Sequence, residues 1–135
     1  MFLKYIICKL KIMMNKTKGQ IEADISAAIT QFEKDHLGRG PKEARTFIIQ
    51  DMVLIRLRGV LTPAEEKLAK DEGGAQLIKQ MRMRLIESSR PLLVEIIEEK
   101  IDAKIRTVHT DVSTRTGERV FIFGLDKNLE NELKK

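Results

Sequence analysis

The stretch from Ala75 to Ile101, AQLIKQMRMRLIESSRPLLVEIIEEKI, constrains the fold of this chain more than any other. At about 100° per residue, Leu77, Ile78, Met81, Leu85, Leu92 and Ile96 share one apolar arc. A second arc gathers Ile86, Leu93, Val94, Ile97 and Ile101. A surface helix needs only one stripe, so two predict a central helix covered from two sides. Pro91 falls inside it, removing a backbone donor and crowding the carbonyl four residues back. Ser88-Ser89-Arg90-Pro91 therefore predicts a kink, or a break with Ser88 or Ser89 capping the second half.

The flanking segments supply what such a helix packs against. Thr17 to Leu37 carries Ile21, Ile25, Ala28, Ile29 and Phe32 at three- and four-residue steps, a first helix that Gly38 ends. Gly38-Arg39-Gly40-Pro41-Lys42 is a basic loop. An anion site there would want free N–H groups at a helix N-terminus, whereas this loop follows a C-terminus, so a connector is the stronger reading. RTFII and VLIRLR predict a hairpin turning at Gln50-Asp51, with Val53, Ile55 and Leu57 on one face and Leu54, Arg56 and Arg58 on the other. Thr62-Pro63-Ala64-Glu65 has the cap, first-turn proline and reciprocal glutamate of a helix start. That short helix is expected to run to about Asp71 and stop at Gly73-Gly74. KIRTVHTDV and RVFIFGL, with Gly117 in the intervening loop, predict a second hairpin.

The order is then α-β-β-α-α-β-β, an α+β fold of two antiparallel hairpins, four strands in all, with helices on one face. Residues 14–126 form the single domain expected of a chain of 135 residues. Residues 127–135 are short, charged and expected to fray. Residues 1–13, MFLKYIICKLKIM, are expected to be an upstream extension or leader outside the fold. They are too short and charged to span a bilayer, although a helix would align Leu3, Ile7 and Leu10 as a surface anchor. Their three lysines account for most of the net charge of +5, leaving about +2 for the rest. A near-neutral domain is weak support for nucleic-acid binding.

Side-chain chemistry is sparse. His36 and His109 are the only histidines and Cys8 the only cysteine, so neither a metal site nor a disulfide framework is expected, and no cofactor motif occurs. Thr107, His109 and Asp111 alternate along one strand and share a face. His109 beside Asp111 is the one candidate general base, without an identifiable nucleophile, so no catalytic residues are assigned. Arg39, Lys42, Arg56, Arg58, Arg106, Arg115 and Arg119 could meet RNA. Only Phe47, Phe121 and Phe123 lie in strands to stack bases, and alternation can bury all three.

KGQIEADIS, FEKDHLGRGPKEARTFIIQDMVLIRLRGVLTPAEEKLA, IESSRPLLVEIIEE and VHTDVSTRTGERVFIF, in this order, resemble the MpsC-like family of small bacterial proteins over about Lys18 to Leu125. The resemblance implies a cytoplasmic, non-enzymatic accessory or regulatory protein working through protein contacts. It implies association with an ion-translocating or bicarbonate-uptake membrane system, at the inner face of the membrane. It carries no catalytic residues. The motif positions that serve as binding candidates are Arg39, Pro41 and Lys42 of the first loop, and His109, Asp111 and Arg115 of the second hairpin. A homodimer on the central helix is expected, because the stripe of Ile86, Leu93, Ile97 and Ile101 needs either the first helix or a second copy. The alternative function is a small RNA- or nucleotide-binding module.

Overall fold

The computed structural model describes residues 2–133, apart from the side chains of Met13 and Met14. A first helix, α1 (Phe2–Met14), precedes the predicted series: α2 (Lys18–Leu37), β1 (Glu43–Ile49), β2 (Met52–Arg58), α3 (Pro63–Leu68), α4 (Glu72–Glu98), β3 (Ile105–Val112) and β4 (Arg119–Leu125). The two hairpins join into one antiparallel sheet of order β1-β2-β4-β3. The chain leaves β2 at the centre, crosses behind the sheet through α3 and α4, enters the far edge as β3 and returns to the centre as β4.

Local chemistry sets the element boundaries. Thr17 and Thr62 each accept the backbone N–H three residues on, while Gln20 and Glu65 reach back to the threonine N–H, giving two complete capping boxes. Gly38 ends α2 at φ 91°, a conformation that glycine takes without steric cost. The turn Gln50-Asp51 puts Gln50 at φ 53°. Backbone bonds from Leu125 to Asp51 and from Glu130 to Gln50 hold it there.

Strand alternation assigns the faces. Thr46, Ile48, Val53, Ile55, Leu57, Phe121, Phe123 and Leu125 point inward and are buried. Against them pack Ile21, Ile25, Ile29 and Phe32 of α2, and Ile78, Ile86, Leu93 and Ile97 of α4. Burying each such side chain contributes about 1.5–3 kcal/mol. All of this lies on one face of the sheet, as expected.

Three expectations about α4 need correction. It is covered from one side, not two: Ile86, Leu93, Ile97 and Ile101 enter the domain's own core, while Leu77, Met81 and Leu92 stay exposed. The stripe expected to need either the first helix or a second copy is thus buried within one chain, against α2 and the sheet. Of the kink or break expected at Pro91, the break does not occur. The helix is continuous from Glu72 to Glu98, its tertiary packing outweighing one lost backbone bond. Finally, Gly73-Gly74 does not separate the helices. Asp71 caps α4 by accepting the Gly74 N–H at 2.7 Å, so both glycines lie in its first turn. Gly74 is required there, because a Cβ would lie 2.0 Å from the Leu68 carbonyl oxygen.

The tail is also better held than expected. Leu129 is buried, Glu130 bridges Lys18 and the Gln50 N–H, and a 3-10 turn runs from Glu130 to Glu132. Lys134 and Lys135 lie outside the described residues.

Candidate functional site

Helix α4 and the edge strand β3 do not close on each other. Between them lies a cleft of about 350 Å³, with Lys79, Met83, Ile86, Glu87 and Arg90 from α4, Val108 to Val112 from β3, and Arg119 from β4. Two cross-links bracket it. Arg90 Nη2 donates to the Val108 carbonyl at 2.8 Å, and Lys79 Nζ stands 3.6 Å from Asp111 Oδ1. Its lining combines apolar Ile86, Val108 and Val112, with Met83 at the exposed mouth, and one inward-facing arginine. A larger, more open depression of about 520 Å³ lies at the C-terminal end of α4. Its walls are mainly charged side chains, among which Lys104 pairs with Glu98 and Lys127 with Asp102.

Behind the cleft sits a group of buried charges. Arg82, only 2% exposed, donates to both oxygens of Glu65 at 2.7 and 2.8 Å and to the Val60 carbonyl at 2.9 Å. Burial pushes the Glu65 carboxyl up, but the bonds from Arg82 and Thr62 and the charge of Arg82 outweigh it and hold it below its ordinary value. Arg119, also 2% exposed, donates through Nη1 to Thr110 Oγ1 at 2.7 Å and lies over the Phe121 ring. Its Nε has no hydrogen-bond partner among the described residues, and neither have Glu33 Oε2 and Arg82 Nη1. Burial raises Glu33 to about 7 against the opposing charges of Arg119 and Arg82. Burial likewise lowers Arg119, with Glu33 acting in the other direction.

The sequence-predicted residues fall in two places. Arg39 donates to the Gly59 carbonyl at 3.2 Å, and the Lys42 side chain covers Gly59 so closely that a Cβ there would lie 2.7 Å from it. Pro41 sits between them, half-buried. Val60 N–H in turn binds the Gly117 carbonyl, which brings the first loop near the β3–β4 loop where Arg115 is exposed. His109 and Asp111 lie further along β3 at the lip of the cleft. Asp111 Oδ1 accepts the Val112 N–H at 2.9 Å and faces Lys79 rather than orienting His109. Among the described residues, no three of His, Cys, Asp and Glu gather as a metal site.

Sequence reasoning did not find Glu33, Arg82 or the burial of Arg119, although the signal was present. Arg82 lies midway between Ile78 and Ile86, Glu33 four residues after Ile29, and Arg119 two before Phe121. Each is a charge at a core position of its element.

The sheet's opposite face presents a row of side chains outward. Phe47, Leu54, Ile122 and His109 stand in register across all four strands, and Ile49 and Met52 pair beside them. Phe47 is 41% exposed, Ile49 40% and Met52 37%. Arg45 and Arg56 form the next rung, where Arg45 meets Glu43 and Arg56 meets Glu118.

Fold and site define a small α+β protein with a one-sided four-stranded sheet, an open apolar face and a cleft backed by buried charge. The chain belongs to the MpsC family: the family described as "Na+-translocating membrane potential-generating system (MpsC)" matches residues 17–127. It is similar to the "uncharacterized protein YbcI" of Bacillus subtilis (strain 168), 47% identical over 90% of this chain and 98% of that protein. It is also similar to the "uncharacterized protein YrhF" of the same organism, 24% identical over 77% of this chain and 86% of that one. No solved structure matches the chain. No helix among the described residues is long and apolar enough to cross a membrane.

Proposed function

We propose that this chain is a non-enzymatic accessory protein that acts in the cytoplasm through protein contacts, as a regulatory partner of the ion-translocating membrane system after which its family is named. The observation that carries the reading is the uncovered sheet face. A contiguous apolar patch on a small domain marks an interaction surface. Here Phe47, Ile49, Leu54, Met52 and Ile122 form one, with Arg45, Arg56 and Arg58 along its edge. That combination suits an apolar segment with acidic flanks on the cytoplasmic side of a membrane protein.

The binding candidates keep their roles in this proposal. Arg115, with Arg39, Pro41 and Lys42, marks the basic end of the surface, and His109 and Asp111 mark its β3 edge. A homodimer is also proposed, now on the exposed α4 stripe of Leu77, Met81 and Leu92. Lys79 and Arg84 precede the stripe's midpoint while Glu95 and Glu99 follow it, so an antiparallel second copy sets basic halves beside acidic ones.

One observation favours the second reading, single-stranded RNA on the same face: Phe47 is an exposed aromatic beside two arginines. The two are separated by cross-linking the tagged full chain in its bacterial host and comparing wild type with Phe47→Glu. Recovery of a membrane ion-translocating protein that is lost in Phe47→Glu is the expected result. Recovery of RNA in its place favours the second reading and overturns the first.

A further inference from the structure

We propose that the cleft between α4 and β3 is a binding site for a small carboxylate with an apolar body, its head held by Arg119. An incompletely hydrogen-bonded guanidinium and the shape of the space beside it point to that ligand.

The buried charges match in number, two arginines with two carboxylates, but they are unequally hydrogen-bonded. Arg82 has the Glu65 carboxylate in a two-pronged pair and the Val60 carbonyl besides, with its Nη1 alone left without a partner among the described residues. Arg119 has nothing comparable. Its one hydrogen bond among the described residues goes to a neutral hydroxyl, Thr110 Oγ1, and its Nε is buried without an acceptor. Glu33 is the other buried carboxylate, and its Oε2 does not supply the missing bond. A guanidinium removed from water needs an anion of good geometry, and a carboxylate matches its planar fork with two parallel bonds.

The side chain heads toward the right place. Arg119 stands on the inner face of β4, and its bond to Thr110 carries the guanidinium toward β3, where both residues line the cleft. Beyond them the walls are Met83, Ile86, Val108 and Val112. At about 350 Å³ the space is at the lower end for a small-molecule site, and apolar walls around one placed polar group are the usual composition of such sites. An apolar tail lies along α4 and the edge strand; at the lips Lys79 and Arg90 are offset by Asp111 and Glu87, which leaves Arg119 as the charge the head meets. Free phosphate would satisfy Arg119 but leave the apolar walls unfilled; a neutral alcohol would do the reverse.

Titration of the full chain with sodium decanoate, read by the methyl resonances of Met83, Ile86 and Val108, tests the assignment. Saturable shifts of these three with a dissociation constant of about 0.1 mM are expected for a ligand of this size. Decanol should bind at least about tenfold more weakly, since a charge-assisted pair is being lost. Inorganic phosphate should leave the three methyls unmoved. Arg119→Met should weaken decanoate by the same factor and leave decanol unchanged. If Arg119→Met does not fold, Met83→Trp gives an independent readout. It places the chain's single tryptophan at the exposed mouth of the cleft, and its emission should respond to decanoate but not to phosphate. Equal affinity for decanoate and decanol, shifts confined to residues outside the cleft, or tryptophan emission in Met83→Trp that ignores decanoate each overturn the proposal.

Discussion

Glu65 joins two structural tasks: its Oε1 closes the cap of α3 on the Thr62 N–H at 3.0 Å and accepts Arg82 Nη2 at 2.7 Å. The start of one helix is thereby tied to the middle of the next. The pair is unequally buried, Arg82 almost completely and Glu65 less so. Removing either partner should therefore have unequal effects. Glu65→Gln leaves a buried guanidinium without its anion and should cost about 3–5 kcal/mol. Arg82→Met leaves a carboxylate that can turn to water and should cost only about 1–2 kcal/mol. Urea unfolding of the two variants measures both, and equal losses would contradict the asymmetry. Acid should act like Glu65→Gln. Because Glu65 titrates below its ordinary value, its contribution is fully present above the normal carboxylate range and is lost as the pH falls through the lowered value.

Glu33 has the opposite pH dependence. Its folded pKa is about 7 and its ordinary value 4.5, so the folded state holds an extra proton between them. The sign follows: the stability linked to Glu33 is fully present below about 4.5 and is lost as the pH rises through about 7. The groups facing it are Arg119 on β4, Arg82 on α4 and Glu65 on α3, and the two arginines already moderate the shift. The loss is on the order of 3 kcal/mol at most. Glu33→Gln imitates the protonated form, so melting temperatures of variant and wild type should agree at pH 5, with the variant higher at pH 8. A gap of the same size at both pH values would rule out this role.

Gly74 carries a sharp steric prediction. A methyl group there meets the Leu68 carbonyl oxygen, a backbone atom that cannot rotate away. Gly74→Ala should therefore destabilise by about 3 kcal/mol or more, even though alanine favours helices by about 1 kcal/mol over glycine. Gly73→Ala, whose nearest neighbour is a side-chain oxygen at 3.5 Å, should be neutral or stabilising. Thermal melts of both variants decide the point.

The two sides of α4 should separate in mutagenesis. Leu93 is fully buried, so Leu93→Glu should unfold the domain. Met81 is exposed, so Met81→Glu should leave the circular dichroism unchanged. If the exposed stripe joins two copies, light scattering at tens of micromolar should show a dimer for wild type and a monomer for Met81→Glu. A monomeric wild type would sink the dimer.

The sequence by itself determined the elements. The 3.6-residue repeat of Ile21, Ile25, Ile29 and Phe32, the alternation of Val53, Ile55 and Leu57, and the Thr62–Glu65 cap are local signals that act within a few residues of themselves. They sufficed for the element order and for helices on one face. The tertiary structure decided what depends on distant partners. Pro91 stays within a continuous helix because Leu93 and Ile97 are held in the core beyond it. Which stripe of α4 is buried was settled by α2 and the sheet, since both stripes are equally apolar in one dimension. The central pairing of β2 with β4 depends on a crossover spanning α3 and α4, and hairpin signals say nothing about it. The buried charges lie in between. Arg82, Arg119 and Glu33 occupy core positions readable from spacing, but only their proximity in space left Arg119 without a bonded anion. A charge is read from one residue, whereas its neutralisation is a property of everything folded around it.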